Sequence, residues 1–244
     1  MFNSLYFTDN EIIKHASNSF LATRISFINM ISDLCETTGA DVTKVAAGMG
    51  LDPRIGQAYL DAGLGYGGYC LPKDIRAFVH IGEDLRVNFD LLREVENINR
   101  ARPEKIIDRL ATALGTLRGK RIGVLGLSFK PGTDDIRESP SLKVVNCLLD
   151  NGASLCLHDP QSINNTKALL GELKGRLTYD DNPYNVAEGV EALAVLTAWP
   201  EYSDLDFPKI AELMTTKIMI DGSNLLDPLV MRRIGFEYIS MGRV

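Results

Sequence analysis

The sequence predicts an α/β protein in which an all-helical region is followed by a Rossmann-like, doubly wound parallel sheet. Up to about residue 116, apolar residues recur at the three-, four- or seven-residue steps of helices. After Lys120, short apolar segments alternate with helical stretches, which is typical of a parallel sheet covered by helices. The change of pattern at residues 117–120 predicts two domains, 1–117 and 118–244, each long enough to bury a core.

The helical region begins with one long helix, which the apolar spacing predicts over residues 9–36. Its apolar residues include Ile12, Phe20, Phe27 and Leu34. A helix of this length, roughly 40 Å, needs a partner surface, either within its own domain or across a dimer.

Shorter helices are predicted to follow. Asp41 is expected to cap a helix that ends at Gly48 or Gly50, and Asp52-Pro53 is expected to start another. Two further helices are predicted over residues 72–84 and 89–116. Pro103 is expected to break or kink the second of these.

The sheet region begins with an apolar strand and continues as alternating strands and helices. A helix over residues 139–151 is predicted between the first two strands, ending at Gly152. The predicted strands are 121–127, 153–158, 177–179, 192–196, 217–220 and 237–240.

Composition excludes several classes of protein. A formal net charge of −6 argues against nucleic-acid binding, which usually needs a basic domain or stripe. No apolar run approaches the roughly 18 residues of a membrane span. The four cysteines lack the spacing of metal ligands, so we expect no metal site and reduced thiols. With no signal-peptide pattern at the N-terminus, the sequence predicts a cytoplasmic protein.

Residues 63–74, Gly-Leu-Gly-Tyr-Gly-Gly-Tyr-Cys-Leu-Pro-Lys-Asp, are the most informative stretch of the chain. The glycines allow the backbone to approach a ligand closely. Cys70 then precedes Pro72, which is expected at the first position of a helix. A thiol beside helix N-terminal amides and Lys73 is in a place that favours the thiolate. The alternative is a tight turn with a cysteine that only packs.

The first strand of the sheet invites comparison with dinucleotide-binding folds. Its glycines, Gly123, Gly126 and Gly132, do not form the G-x-G-x-x-G fingerprint, and Asp159 lies too far along the chain for the acid of that motif. The spacing therefore favours a Rossmann-like sheet that serves another ligand over an NAD site in this loop.

The loop after this strand carries two cations, Lys130 and Arg137. Ligands of open α/β sheets bind beyond the carboxyl ends of the strands, where these side chains would offer a point charge and a planar fork to phosphates. Because Asp134, Asp135 and Glu138 lie among them, a solvated charged surface is an equally good interpretation.

Four segments resemble the UDP-glucose/GDP-mannose dehydrogenase family, the nucleotide-sugar dehydrogenases. They are EIIKHASNSFLATRISFIN (11–29), GADVTKVAAGMGLDPRIG (39–56), GYGGYCLPKD (65–74) and GVLGLSFKPGTDDIRESPS (123–141). The resemblance covers the family's central helical domain and its C-terminal nucleotide-sugar domain. It implies that NAD is bound mainly by a further, N-terminal domain absent from this sequence. The glycine-tyrosine form of the cysteine loop is most similar to members that oxidise UDP-glucose.

The resemblance implies an NAD-dependent, four-electron oxidation of UDP-glucose to UDP-glucuronate. Cys70 would capture the intermediate aldehyde as a thiohemiacetal, which is oxidised to a thioester and then hydrolysed. Lys14 and Asn18, four residues apart on one helix face, are implied to stabilise the oxyanion. Asp74 is implied to activate the hydrolytic water.

The resemblance also assigns ligand contacts and a partner. Lys73 and Arg137 are implied to contact NAD, and the long helix over 9–36 is implied to form the core of a homodimer. Two positions depart from the family pattern: Ser223 stands where an Arg is common, and Tyr69 where a Ser is common. The implied contacts to the UDP-sugar are Tyr59, Leu60, Asp61, Ala62, Gly63, Gly67 and Lys130, with Arg54 reaching the neighbouring subunit's site.

Two other functions remain open from the sequence. The chain could be a UDP-sugar-binding and dimerisation module that performs no hydride transfer alone. It could also be a cysteine hydrolase if the fold brought His15, His80 or His158 to Cys70, although the local signatures of such enzymes are absent.

Overall fold

The computed structural model of the protein describes residues 8–243 apart from residues 172 and 174. The helical region confirms the predicted long first helix, which begins with a capping box between Thr8 and Glu11 and ends at Gly39 in a left-handed conformation. The helices of this region are α1 (Asp9–Thr38), α2 (Val42–Gly50), α3 (Cys70–Leu85) and α4 (Asp90–Leu114).

The helix predicted to start at Asp52-Pro53 is wrong. The carbonyl of Asp52 accepts hydrogen bonds from the amides of Ile55 and Gly56, which makes one turn and no more. Gly56 then takes a positive φ of 69°, so the chain leaves the helical conformation there.

Two proline predictions concern α3 and α4, and the expected position of Pro72 and the expected break at Pro103 both differ from the structure. The first residue of α3 is Cys70, with Pro72 two positions later, where a missing N–H still belongs to the unsatisfied first turn. Pro103 does not break α4, which runs unbroken through it. The proline removes one helical hydrogen bond, whereas Arg102 just before it and Ile106 three residues after it are buried. Tertiary packing therefore outweighs the local cost.

The sheet region confirms the predicted α/β class. Among the described residues it forms six parallel strands in the order β3-β2-β1-β4-β5-β6, so the order reverses between β1 and β4. The strands are β1 (Arg121–Leu125), β2 (Ser154–His158), β3 (Leu177–Tyr179), β4 (Ala192–Val195), β5 (Ile218–Asp221) and β6 (Glu237–Ser240). The helices are α5 (Pro140–Asp150), α6 (Ile163–Leu170), α7 (Pro183–Ala187), α8 (Pro200–Ser203), α9 (Phe207–Leu213) and α10 (Pro228–Ile234).

Helices cover both faces of the sheet, and one of them comes from the helical region. On one face, residues of α7 to α10 pack against Leu193 and Met219. On the other face, α5 shares a core with Ile106 and Leu110 of α4, which pack with Ile220. Because α4 completes this layer, the helical and sheet regions have a common core. The division into domains 1–117 and 118–244 stays a prediction.

Hydrogen bonds of Gly242, near the end of the described residues, connect the helical and sheet regions at a second place. The amide of Val42 donates to the carbonyl of Gly242 (2.8 Å), and the Gly242 amide donates to the Glu36 carboxylate (2.7 Å). Gly242 has a φ of 73°, and a Cβ there would lie 2.6 Å from the Cβ of Ser32. Glycine is therefore required for this close approach to α1.

None of the helices within the described residues is long and apolar enough to cross a membrane.

The shared core predicts that truncating α4 beneath the sheet destabilises the whole protein. Leu110 is fully buried, so Leu110→Ala is expected to lower the free energy of unfolding by about 2–5 kcal/mol. Leu91→Ala on the same helix, where the side chain is 66% exposed, is the control and is expected to change it by less than about 0.5 kcal/mol. Urea unfolding measures both. Equal effects of the two variants would contradict the bridging role of α4.

Candidate active site

Cys70 opens onto a cleft between the helical and sheet regions. The cleft has a volume of about 450 Å³, and the thiol is exposed in it. The structure brings together residues of α1, the cysteine loop and the loop after β1, which are far apart in sequence. The predicted site residues that line this cleft are Asn18, Tyr59, Gly67, Cys70, Lys130 and Arg137.

Polar side chains of α1 and α4 hold the glycine-rich loop by its backbone. The Asn29 side-chain oxygen accepts from the amide of Gly63 (2.8 Å), and the guanidinium of Arg102 donates to the Gly63 carbonyl (3.1 Å). The Asn99 side chain accepts from the amide of Tyr66 (2.7 Å) and donates to its carbonyl (3.0 Å). These three positioning residues were missed by the sequence analysis. The only signal was their place on the buried faces of otherwise ordinary amphipathic helices.

Arg102 is the most buried cation of this network, with 1% of its surface exposed. Besides Gly63 it donates to the Asp33 carboxylate (2.7 Å), the Ser32 hydroxyl (3.0 Å) and the Asn29 carbonyl (3.2 Å). Burial acts to raise the pKa of Asp33, but Lys105 and Arg102 outweigh it and hold that pKa below its usual value. The buried charge is therefore compensated and its donors are satisfied, as a buried guanidinium requires.

Glycines let the cysteine loop touch the loop after β1. A Cβ at Gly67 would lie 2.5 Å from the carbonyl oxygen of Glu138, and one at Gly68 would lie 2.8 Å from the Phe129 ring. Gly68 also has a φ of 76°, and its amide donates to the Arg137 carbonyl (2.9 Å). Any larger side chain would push the loops apart and widen the cleft.

A buried carboxylate, Asp74, lies one helical turn after Cys70. Its Oδ2 accepts from the Asn18 amide (2.7 Å) and lies 3.8 Å from the Lys14 ammonium; its Oδ1 lies 2.7 Å from the Lys73 ammonium. Burial acts to raise the pKa of Asp74, but hydrogen bonds from Lys73 and Asn18 outweigh it and keep that pKa below its ordinary value. The fold thus brings Lys14 and Asn18 to one ionised carboxylate, which lies one helical turn after Cys70.

The two cations expected to contact a cofactor lie at the rim of the cleft. The Arg137 guanidinium pairs with the Asp135 carboxylate (2.7 Å), and Lys73 pairs with Asp74. Asp74 raises the pKa of Lys73, and Asp135 raises that of Arg137, with smaller contributions from the nearby Tyr69 and Cys70. Both side chains are therefore firmly cationic beside the thiol.

A second cleft, of about 230 Å³, adjoins the first at the carboxyl ends of β1, β4 and β5. This is the place where strand order reverses and where open α/β sheets bind ligands. Phe129 and Lys130 line both clefts. The predicted residues that line the second cleft are Asp61, Ala62, Gly63 and Lys130, together with Ser223.

The first turn of the sheet is occupied by a carboxylate from within the protein. Asp159 Oδ2 accepts from the amides of Leu127 (2.7 Å) and Ser128 (3.1 Å) and from the Trp199 indole (3.1 Å). Burial acts to raise the pKa of Asp159, but backbone hydrogen bonds, that of Leu127 first, keep it low.

These amides are the groups that would face a pyrophosphate in a dinucleotide-binding sheet. Because Asp159 already uses them, the described residues of this turn do not fit NAD. The expectation that this sheet serves another ligand agrees with that geometry. Lys73 and Arg137 fit an anionic group on the thiol side of the cleft, but they do not by themselves form a dinucleotide cradle.

Two predicted ligand contacts lie away from the clefts. The side chain of Arg54 is 87% exposed and pairs with Asp52 (2.6 Å). Leu60 is buried in a core with Ile28 and Val42, which leaves only its backbone for a ligand. Ser223, which stands in the place of a family arginine, donates its hydroxyl to the buried Asp221 (2.8 Å).

The other candidate nucleophiles, bases and ligands do not form a site. The chain's three histidines all lie within the described residues, and none lines the Cys70 cleft: His15 stacks on Phe78 and lies 3.7 Å from the Asp74 carboxylate, His80 is exposed, and His158 contacts Tyr202. A cysteine-hydrolase dyad is therefore unsupported. Burial raises the pKa of the three remaining thiols, Cys35, Cys147 and Cys156. Across the described part of the chain, no cluster of His, Cys, Asp and Glu could hold a metal ion.

Two domain models of one family match the chain. The central domain of the UDP-glucose/GDP-mannose dehydrogenase family matches residues 8–101, and the UDP binding domain of that family matches residues 123–228. The first match contains the Cys70 loop, and the second contains the loop with Lys130 and Arg137.

Curated relatives are similar along nearly the whole chain. A UDP-glucose 6-dehydrogenase of Bacillus subtilis is 42% identical over 233 residues, which is 96% of this chain and 50% of that protein. A UDP-glucose 6-dehydrogenase of Pseudomonas aeruginosa is 42% identical over 236 residues, 96% of this chain and 52% of that protein. The chain thus spans about half the length of the curated relatives it matches.

Solved structures share the fold. A UDP-glucose dehydrogenase from the hyperthermophilic archaeon Pyrobaculum islandicum matches with a TM-score of 0.85 and 38% identity over 96% of this chain and 51% of that chain. A UDP-D-ManNAc dehydrogenase from Pyrococcus horikoshii matches with a TM-score of 0.79 and 28% identity over 95% of this chain and 51% of that chain.

The Asp159 site predicts a pH-dependent contribution to stability. Because the folded pKa is lowered, the charged form stabilises the fold at pH values above the unfolded pKa of about 3.9, and this stabilisation is lost as the pH falls through the folded value. Asp159→Asn is expected to cost about 2–4 kcal/mol at pH 7, since its amide group faces N–H donors. The difference in unfolding free energy between Asp159→Asn and the wild type should become smaller below about pH 4.

Urea unfolding between pH 7 and pH 3.5 measures this difference. Asp108→Asn, at an exposed position of α4, is the matched control and should leave the unfolding free energy nearly unchanged at each pH. A penalty for Asp159→Asn that does not change with pH would contradict the role of the ionised carboxylate.

Proposed function

The chain belongs to the UDP-glucose/GDP-mannose dehydrogenase family, and from that premise we propose that it forms the nucleotide-sugar half of an NAD-dependent UDP-glucose 6-dehydrogenase. The observation that carries the proposal is the exposed Cys70 at the first residue of α3, in a cleft that it shares with Asn18 and Lys130. The reaction is the four-electron oxidation of UDP-glucose to UDP-glucuronate.

The UDP-sugar is proposed to lie across the two adjoining clefts. The nucleotide occupies the second cleft, against the backbone of Asp61, Ala62 and Gly63, and the sugar points toward Cys70. Lys130 supports this placement because it lines both clefts and so can meet the diphosphate between nucleoside and sugar.

Cys70 is proposed as the nucleophile of the second half of the reaction. Its thiolate sulfur adds to the carbonyl carbon of the sugar aldehyde, and the carbonyl electron pair moves to oxygen, giving a thiohemiacetal. In its oxyanion form this adduct would lose its C–H hydrogen as hydride to the acceptor, and the oxygen electron pair would re-form the carbonyl of a thioester. Water then adds to the thioester carbonyl and the thiolate leaves, which releases the carboxylate product and restores Cys70.

We propose that Lys14 and Asn18 stabilise the negative charge on the oxygen of this carbonyl and that Asp74 activates the attacking water. An ammonium and an amide N–H stabilise an oxyanion when they are already aimed at it. The buried Asp74 carboxylate accepts a 2.7 Å hydrogen bond from the side-chain amide of Asn18 and so holds that amide in a fixed orientation. The same carboxylate, ionised at neutral pH, is the proposed acceptor of the water proton.

NAD⁺, when bound, supplies the acceptor for the hydride in each of the two oxidations. Lys73 and Arg137 are the residues of this chain proposed to contact it. Because the described residues offer no dinucleotide cradle, we assign most of its binding site to a part of the enzyme outside this sequence.

A second copy of the chain is the proposed partner. Along α1, Ile13, Phe20, Phe27 and Leu34 recur at seven-residue intervals and are 42–63% exposed. An apolar stripe of this spacing suits an antiparallel copy of the same helix, because a two-fold axis makes the surface self-complementary. Arg54, which does not line either cleft of its own chain, is then proposed to reach the site of the neighbouring subunit.

The chain's four free cysteines agree with a cytoplasmic location.

The alternative is a module that binds UDP-sugar and dimerises without hydride transfer of its own. The observation that favours it is the occupation of the first sheet turn by Asp159. NADH production from UDP-glucose by this chain alone would exclude the module. Because most of the NAD site is assigned outside this sequence, absence of turnover by the chain alone is expected under both proposals, and loss of acid formation in Cys70→Ser of the complete enzyme is the result that supports the dehydrogenase.

Calorimetric titration tests the proposed substrate. UDP-glucose is expected to bind the wild type and Cys70→Ser with closely similar affinity, since the serine preserves the cleft. Lys130→Gln is expected to weaken binding about tenfold through the lost charge on the diphosphate. Lys209→Gln, on α9, is the charge-matched control. If UDP-glucose, UDP-N-acetylglucosamine and GDP-mannose all fail to bind, the assignment is contradicted.

In the complete enzyme, Cys70→Ser should abolish formation of the acid.

The proposed dimer makes a separate prediction. Phe20→Asp places a charge in the apolar stripe of α1, and analytical ultracentrifugation is expected to show a shift from dimer to monomer. Leu229→Asp, on α10, removes a side chain with the same 63% exposure and should leave the dimer intact. A monomeric wild type, or an unchanged dimer in Phe20→Asp, would show that this stripe is not the interface.

A further inference from the structure

We propose that Tyr69 is a positioning residue, an aromatic clip that holds Lys73 and Arg137 together beside Cys70 and so makes an anion-attracting rim on the thiol side of the cleft. The proposal deepens the proposed function, since it rests on Cys70 as the reacting group. Its test needs neither substrate nor hydride acceptor.

The geometry of the clip joins two parts of the protein. The Lys73 ammonium lies 5.3 Å from the centroid of the Tyr69 ring, and the Arg137 guanidinium carbon lies 4.8 Å from it. Both distances are within the range of cation–π attraction. Lys73 belongs to α3, whereas Arg137 belongs to the loop between β1 and α5. The Tyr69 ring, 52% exposed, therefore spans the rim between the helical and sheet regions.

Without the Tyr69 ring, Lys73 and Arg137 would tend to move apart. They repel each other, and each has its own carboxylate, Asp74 for Lys73 and Asp135 for Arg137, both at 2.7 Å. The ring presents negative faces to both cations and so offsets their repulsion. The side chain before the nucleophile thus decides how near the two positive charges stay to the thiol.

The charge balance of the rim remains positive. Lys130, Arg137 and Asp135 line the cleft, and Lys14 and Lys73 both lie within 3.8 Å of the Asp74 carboxylate one turn after Cys70, which gives four cations against two carboxylates. A ligand that carries a phosphate or pyrophosphate is therefore drawn to the edge beside Cys70. Tyr69 acts on that ligand through the cations, which is why it is a positioning residue and not a catalytic one.

Alkylation of Cys70 by two reagents tests the clip. In both reactions the thiolate displaces iodide and forms a carbon–sulfur bond, but iodoacetate is anionic and iodoacetamide is neutral. The ratio of the two rate constants at one pH cancels the thiolate fraction and reports the local positive potential. Mass spectrometry of the peptide that contains Cys70 measures both rates and separates them from alkylation of the other cysteines.

Tyr69→Ala is expected to lower the iodoacetate-to-iodoacetamide ratio about two- to fivefold, the effect of moving one or two unit charges away in a largely aqueous site. Tyr69→Phe, which keeps the aromatic faces, should retain the wild-type ratio. The double variant Lys73→Gln/Arg137→Gln should lower the ratio at least as far, and adding Tyr69→Ala to it should have no further effect. High salt should shrink every difference.

Lys209→Gln is the control for net charge, because it removes a cation that lies over a different ring, Tyr184, at 4.6 Å. An unchanged ratio in Tyr69→Ala would overturn the proposal. So would a ratio lowered as much by Tyr69→Phe, or by Lys209→Gln. A chain that fails to bind UDP-glucose but shows the expected ratios would refute the proposed substrate and leave the clip standing.

Discussion

A buried guanidinium on one helix is the interaction on which the rest of the structure depends. Arg102 of α4 bonds to α1 through Asp33 and to the cysteine loop through Gly63, and the next turns of the same helix carry Ile106 and Leu110 into the core of the sheet. Because one rigid element makes all three contacts, the thiol and the carboxyl ends of the strands are fixed relative to each other. Removing the Arg102 guanidinium would leave the buried Gly63 carbonyl, Asn29 carbonyl and Ser32 hydroxyl without this donor, so the arrangement is strongly specified.

This constraint explains why the Cys70 cleft lies between the regions. The glycines at 67 and 68 bring the cysteine loop into contact with the loop after β1, and Asp159 fixes that second loop from inside the sheet. A sheet with the strand order of dinucleotide-binding proteins thus uses its first turn for internal support. Its ligand surface is moved toward Lys130, where the proposed nucleotide sugar meets both walls.

Much of the fold was predictable because periodicity records which face of an element is buried. The long helix, the six strands and the fold class follow from it, and the motifs pointed to Cys70 and Lys130, two residues that line one cleft. The failures are local rules that tertiary packing overrode, as at Pro103, or that a single glycine cancelled, as at Gly56. The supporting polar residues, Asn29, Asn99 and Arg102, could not be found this way. A buried polar side chain on an amphipathic helix has the same sequence pattern as a solvated one until its backbone partner is known.

Hydrogen–deuterium exchange of the wild-type chain, with and without saturating UDP-glucose, shows whether the ligand binds between the helical and sheet regions, since the two walls of the cleft should then be protected together. We expect slower exchange at the amides of residues 59–70 and of residues 127–132 at the same ligand concentration, and no change at the amino ends of the strands near residues 119–121 and 175–178. Protection of only one wall, or protection centred at the amino ends of the strands, would show that UDP-glucose does not bind between the two regions.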